Sequence, residues 1–173
     1  GVGLTAVEIG AALGARVIAV ARGPEKLQVC KDRGADITID SAEEDVVAKV
    51  KALGGVDVVY DPVGGDPFVA ALKCCRPEAR YLIIGFASGD VPQIKANHIL
   101  VKNVDVLGFY WGGYMRFAPQ GLRDSLTDVF AMITKGLLNP HIGGSYDFDK
   151  ALEALADLKA RKSIGKLVVR GPV

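Results

Sequence analysis

Five short runs with strand-like character recur down the chain, at 15–21, 36–40, 56–60, 80–84 and 104–109, and each gap between them carries residues at helical spacing. Leu27 and Cys30 mark the first such helix, Val46, Val50 and Leu53 the second, Phe68, Ala71 and Leu72 the third, and 95–102 a shorter fourth. Parallel strands cannot be joined by tight turns, so this alternation predicts an α/β protein with a doubly wound parallel sheet and right-handed crossovers. The continuous β-branched run at 15–21 suits a strand covered on both faces. Ligands in such sheets lie beyond the carboxyl ends of the strands, which predicts one crevice lined by 1–3, 22–24, 61–66 and 85–89. Beyond the last strand, Leu122, Leu126, Val129, Ile133 and Leu137 predict a long amphipathic helix, and Ala151, Leu155 and Leu158 another, before a final strand at 166–169. Pro24 suits the first turn of its helix, Gly34 its end, and Ser41 is the expected cap of the helix that follows.

The chain opens on Gly1-Val2-Gly3-Leu4-Thr5-Ala6, a G-x-G-x-x-A turn leading into a helix whose apolar positions are Val2, Ala6, Ile9 and Leu13. Glycines let backbone approach a pyrophosphate, a small third residue lets helix pack on strand, and the helix start supplies free N–H groups. The strand that should precede this turn is absent from the sequence. In a doubly wound sheet that strand is central, so its loss is expected to leave two halves joined only by crossovers, with apolar strand edges exposed. The expectation is therefore of a fragment whose full protein has an N-terminal part.

The end of the second strand selects the dinucleotide. An NAD site places Asp or Glu there to hold the ribose 2′-OH. Here the sequence reads Ala21-Arg22, with Lys26 one turn into the next helix. A guanidinium and an ammonium attract a 2′-phosphate that a carboxylate would repel, so NADPH is favoured over NADH. The same two residues argue against a methyl-donor site, which wants an acidic group at that position.

Net charge of +1 offers no field for nucleic acid, and no apolar stretch approaches the roughly 20 residues that span a bilayer. Cys74 and Cys75 are neighbours and Cys30 is distant, giving neither a disulfide framework nor a metal-binding pair. His98 and His141 stand apart from each other and from ligand spacing, so no metal site is expected. A soluble, cytoplasmic protein is the expectation. Tyr146 and Lys150 have the Y-x-x-x-K spacing of short-chain dehydrogenases, but they precede the last amphipathic helix instead of following the fourth strand.

The opening glycine turn, Ala12-Leu13-Gly14-Ala15, Arg22-Gly23-Pro24-Glu25-Lys26-Leu27, Gly34-Ala35-Asp36, the stretch Val56-Asp57-Val58-Val59-Tyr60-Asp61-Pro62-Val63-Gly64-Gly65-Asp66, Ile84-Gly85-Phe86-Ala87-Ser88-Gly89 and Gly165-Lys166-Leu167-Val168-Val169 together resemble the zinc-independent, zeta-crystallin-like quinone oxidoreductases of the medium-chain dehydrogenase/reductase superfamily. The resemblance covers nearly the whole chain. It implies an NADP-binding Rossmann domain at 1–140, short of its first strand, and a segment at 141–173 that returns to a GroES-like catalytic domain absent here. It implies that Gly1, Val2 and Gly3 meet the pyrophosphate and that Arg22 and Lys26 hold the 2′-phosphate. Ser88 and the backbone of Phe109, Tyr110 and Trp111 would line the nicotinamide side, and Arg161 would reach back to the cofactor. Ser41 stands where many relatives place a tyrosine near the cofactor. Glu8 and Ala11 replace a usual Gln and a basic residue, and Glu78-Ala79 replaces a usual Gly-Gly.

The activity implied is hydride transfer from NADPH to a quinone or an α,β-unsaturated carbonyl, by a homodimer that pairs through the 104–109 strand. No catalytic acid is named, because the family depends on residues of the other half and on positioning. Tyr110, Trp111 and Tyr114 are candidates for a substrate wall. The alternative is a non-catalytic piece, structural or nucleotide-binding, without turnover of its own.

Overall fold

A computed structural model describes residues 1–172. The helices are α1 (Val2–Ala12), α2 (Pro24–Asp32), α3 (Val46–Ala52), α4 (Gly65–Cys74), α5 (Ala96–Leu100), α6 (Tyr114–Phe117), α7 (Pro119–Thr134) and α8 (Ala151–Lys159). The strands are β1 (Ile18–Ala21), β2 (Ile37–Asp40), β3 (Val56–Asp61), β4 (Cys75–Ile83), β5 (Asp105–Gly108), β6 (Ile142–Asp147) and β7 (Lys166–Arg170). Each helix and strand expected from the sequence is present, in the expected order. One strand, β6, was not expected: Ile142-Gly143-Gly144-Ser145-Tyr146-Asp147 has no apolar run, and pairing with β7 is what extends it.

Pairing divides the strands into three ladders, β1–β2, β3–β4–β5 and β6–β7. β3 with β4, β4 with β5 and β6 with β7 are all parallel. Among the described residues no ladder joins β1 to β3. Val20, Val58 and Tyr60 are 48%, 56% and 43% exposed.

The chain forms two compact units, one of residues 1–19, 24–38 and 131–173, the other of 20–23 and 39–130. In the first, Val7 of α1 packs with Ala19, Ala35, Val17 and Cys30. A polar cluster ties its segments together: Arg33 donates to the carbonyl of Asn139 and, at 3.3 Å, meets Nδ1 of His141, while its guanidinium lies 3.6 Å from Glu8. Glu8, which stands where relatives often have Gln, also accepts from the Asn139 amide.

In the second unit, Phe68, Leu72, Cys75, Ala79, Tyr81 and Val104 form the core, with Val59, Ile83 and Val106 packed around them. These are the inward positions of β3, β4 and β5 and the apolar stripe of α4, as period-2 and period-3.6 patterns require. α3 is capped by Asp45, whose carboxylate accepts from Ala48 N at 2.9 Å, and not by Ser41. Asp45 immediately precedes the first helical residue, where a side-chain oxygen can reach the N3 amide, and Ser41 is too far upstream.

Candidate cofactor site

The register of the parallel ladder puts Asp61, Ile83 and Gly108 side by side at the carboxyl ends of β3, β4 and β5. The loops that follow therefore leave the sheet along one edge. Two are stitched together by backbone: Ile84 N donates to Asp61 O at 2.9 Å, Ala87 N to Pro62 O at 3.1 Å and Ser88 N to Val63 O at 2.9 Å. The Ser88 hydroxyl also donates to Val63 O, at 2.7 Å, and accepts from Asp90 N. Ser88 is exposed, so its atoms face solvent while its hydroxyl holds the neighbouring loop. Gly64 adopts φ 70°, ψ −158°, and a Cβ there would lie 2.8 Å from the Phe86 ring and 2.9 Å from Asp90 O, so only glycine fits this close approach.

Asp61 is the buried charged residue of this edge, 6% exposed. One carboxylate oxygen accepts from Val63 N at 2.8 Å and Gly64 N at 3.0 Å, and the other from the Tyr81 hydroxyl at 2.8 Å. Tyr81 is fully buried, with its ring centroid 4.5 Å from that of Phe68. Burial, and then the bond to Asp61, push the Tyr81 hydroxyl far above the ordinary tyrosine range. Tyr81 did not stand out in the sequence as part of a site and Asp61 did so only as the first residue of the 61–66 loop, although an aspartate ending an apolar strand is a signal that it turns back into its own loop.

The third loop is different in kind. Phe109 N donates to Ile83 O at 3.0 Å, and beyond it Phe109, Tyr114 and Phe117 form an aromatic chain with centroids 5.7 and 4.7 Å apart. Tyr110 is 80% exposed, and Trp111 donates to Ser125 at 3.4 Å.

At the ends of β1 and β2, Ser41 donates to Ala21 O through its amide at 2.9 Å and its hydroxyl at 3.3 Å. The Asp40 carboxylate accepts from Gly23 N at 3.1 Å and Ala42 N at 2.9 Å, fixing the turn that carries Arg22. Arg22 is exposed and makes no ion pair among the described residues. Ser41 and Arg22 are thus brought together at one strand end. Asp40, unnoticed in the sequence, spends its charge on the amides of that turn.

The other expected residues belong to the first unit. α1 starts at Val2, with no acidic side chain in its first turn. A Cβ on Gly3 would meet nothing within 4 Å, and one on Gly1 only Gly165 O at 3.9 Å, so the backbone here is open to a close approach. Lys26 lies in the first turn of α2 and Lys166 at the start of β7. Arg161 lies just past α8 in a left-handed conformation, φ 56°, its amide donating to Leu158 O at 3.1 Å. The donor set suits a dinucleotide phosphate: open glycine backbone, a helix start without acid, and basic side chains.

Other chemistry finds little support. Cys74 and Cys75 are buried, and burial raises both thiols, that of Cys75 to about 11, so neither is a ready nucleophile. Tyr146 lies in β6 and donates to Asp157 at 2.8 Å, a bond that raises its pKa, the opposite of what a Y-x-x-x-K catalytic tyrosine needs. Among the described residues no three His, Cys, Asp or Glu side chains gather as a metal site, and no helix is long and apolar enough to cross a membrane.

Residues 1–127 match the family model described as zinc-binding dehydrogenase. The chain belongs to that family. Within it, the chain is the cofactor-binding half of a medium-chain dehydrogenase/reductase of the quinone oxidoreductase-like branch. It is 41% identical to a quinone oxidoreductase-like protein 2 homolog of Nematostella vectensis, over 96% of this chain and 47% of that protein. A mycobacterial protein complexed with NADPH superposes with a TM-score of 0.86 at 31% identity, covering 98% of this chain and 53% of that one. The Escherichia coli quinone oxidoreductase complexed with NADPH gives 0.85 at 27%, covering 98% and 54%. The chain spans about half the length of the relatives it matches. Its α/β architecture of parallel ladders is that of their Rossmann half.

Proposed function

We propose that this chain is the NADPH-binding half of a zinc-independent oxidoreductase that reduces a quinone or an α,β-unsaturated carbonyl. The observation that carries the cofactor choice is the end of β1, where Arg22 stands exposed on a turn held by Asp40, with Ser41 bonded alongside and no acidic side chain at position 21. Arg22, with Ser41 beside it, takes the 2′-phosphate, and the family resemblance gives Lys26 the same role. Gly1, Val2 and Gly3 present backbone to the pyrophosphate, and Arg161 adds charge. Ser88, Phe109, Tyr110 and Trp111 line the nicotinamide side. When bound, NADPH supplies the hydride; the protein orients the ring and keeps water from it.

Asp61 is committed to three donors and is not free to move a proton. Segment 141–173 returns to the catalytic half, a homodimer forms through β5, which is an edge strand of its ladder, and the protein works in the cytoplasm, where its three free thiols stay reduced.

The test is a fluorescence titration with NADPH and with NADH, repeated with a chelator. NADPH binds at least about tenfold (~1.4 kcal/mol) tighter, the chelator changes nothing, and Arg22→Ala with Lys26→Ala erases the preference. Equal affinity for the two dinucleotides overturns the assignment.

A further inference from the structure

The Tyr81 hydroxyl is not needed for packing. A phenylalanine would fill the same space against Phe68, and a buried hydroxyl costs free energy unless it is bonded. Its bond goes to Asp61, two positions beyond its own ladder partner Val59 on the neighbouring strand. Among the described residues Asp61 has no ion-pair partner: its buried carboxylate is offset by Tyr81 Oη and by the Val63 and Gly64 amides. Val63 in turn offers its carbonyl to both the amide and the hydroxyl of Ser88. A continuous series of hydrogen bonds thus runs from the core of the sheet to the surface of two loops.

We propose that Tyr81 and Asp61 are positioning residues, a buried strut that sets the backbone of 61–64 and, through Val63, the Ser88 segment that receives the nicotinamide half of the dinucleotide. The inference rests on the NADPH reading above. A loop held in its binding shape before the ligand arrives loses less freedom on binding, and that saving appears as affinity. The strut acts on the nicotinamide half alone, because the adenosine 2′-phosphate is met elsewhere, by Arg22 and Ser41.

The test compares wild type, Tyr81→Phe and Asp61→Asn in titrations with NADPH and with 2′,5′-ADP, which carries only the adenosine end, together with amide exchange at Val63 and Gly64. Tyr81→Phe weakens NADPH about tenfold, leaves 2′,5′-ADP within about twofold, and speeds exchange of both amides. Asp61→Asn keeps an oxygen for the amides and offers N–H to the Tyr81 oxygen, so NADPH binds within about threefold of wild type. Loss of both ligands to the same degree in Tyr81→Phe reduces the pair to general stability and overturns the proposal. So does unchanged exchange at Val63 and Gly64, whatever the ligands do. Wild type binding neither ligand overturns the cofactor reading instead, and is recognised by its independence of the variants.

Discussion

Two loops leave the same sheet edge and are built on opposite plans. The loop after β3 is tied at every step: its carboxylate is buried, two of its amides are bonded to that carboxylate, and two of its carbonyls hold the next loop. The stretch after β5 is joined to its neighbour through Phe109 N and then presents aromatic rings to solvent, Tyr110 80% and Phe117 71% exposed. Rigid backbone suits a cofactor whose shape never changes. Aromatic side chains exposed on short helical turns suit a contact surface of variable shape, since a ring offers large contact area with few torsions to freeze.

The contrast is open to direct attack. Asp61→Ala strips the Tyr81 hydroxyl and two loop amides of their partner, and urea denaturation is expected to show a loss of about 3 kcal/mol. A loss below 1 kcal/mol would show that water replaces the carboxylate and that the loop is not tied as described. Next in size is a gain. β4, which carries Tyr81 toward its carboxyl end, is strained at mid-strand, where Glu78 has φ 64°. A left-handed conformation disfavours a side chain with a Cβ, so Glu78→Gly is expected to raise stability by about 0.5–1 kcal/mol. A fall in the denaturation midpoint would show that the Glu78 side chain makes up for its backbone. The smallest effect belongs to the open loop: Tyr110→Ala should change stability by no more than about 0.5 kcal/mol, and a larger loss would place Tyr110 among the tied residues.

Much of this was legible in the sequence, and the reason is local. Five strand runs, the helical spacings between them and the glycine turns depend on neighbours within a few residues, so their order could be read directly. Glu78 in place of a usual glycine pointed to a peripheral change; that it sits at positive φ is visible only in the backbone. β6 escaped because its glycines carry no pattern and its extension comes from β7, more than 20 residues away.

Residue types at the strand ends, above all Ala21 with Arg22, were enough by themselves for the expectation of a 2′-phosphate, because charge sign does not depend on exact placement. Which polar groups are free was decided by tertiary structure alone. Ser88 was expected to line the nicotinamide side and Asp40 only to end a strand, yet both spend hydrogen bonds on holding loops, and Tyr81 reads as one more apolar strand residue yet ends on a buried carboxylate 20 positions earlier. Hydrogen bonds act over about 3 Å, and only the register of β3 against β4 brings Tyr81 and Asp61 within that distance.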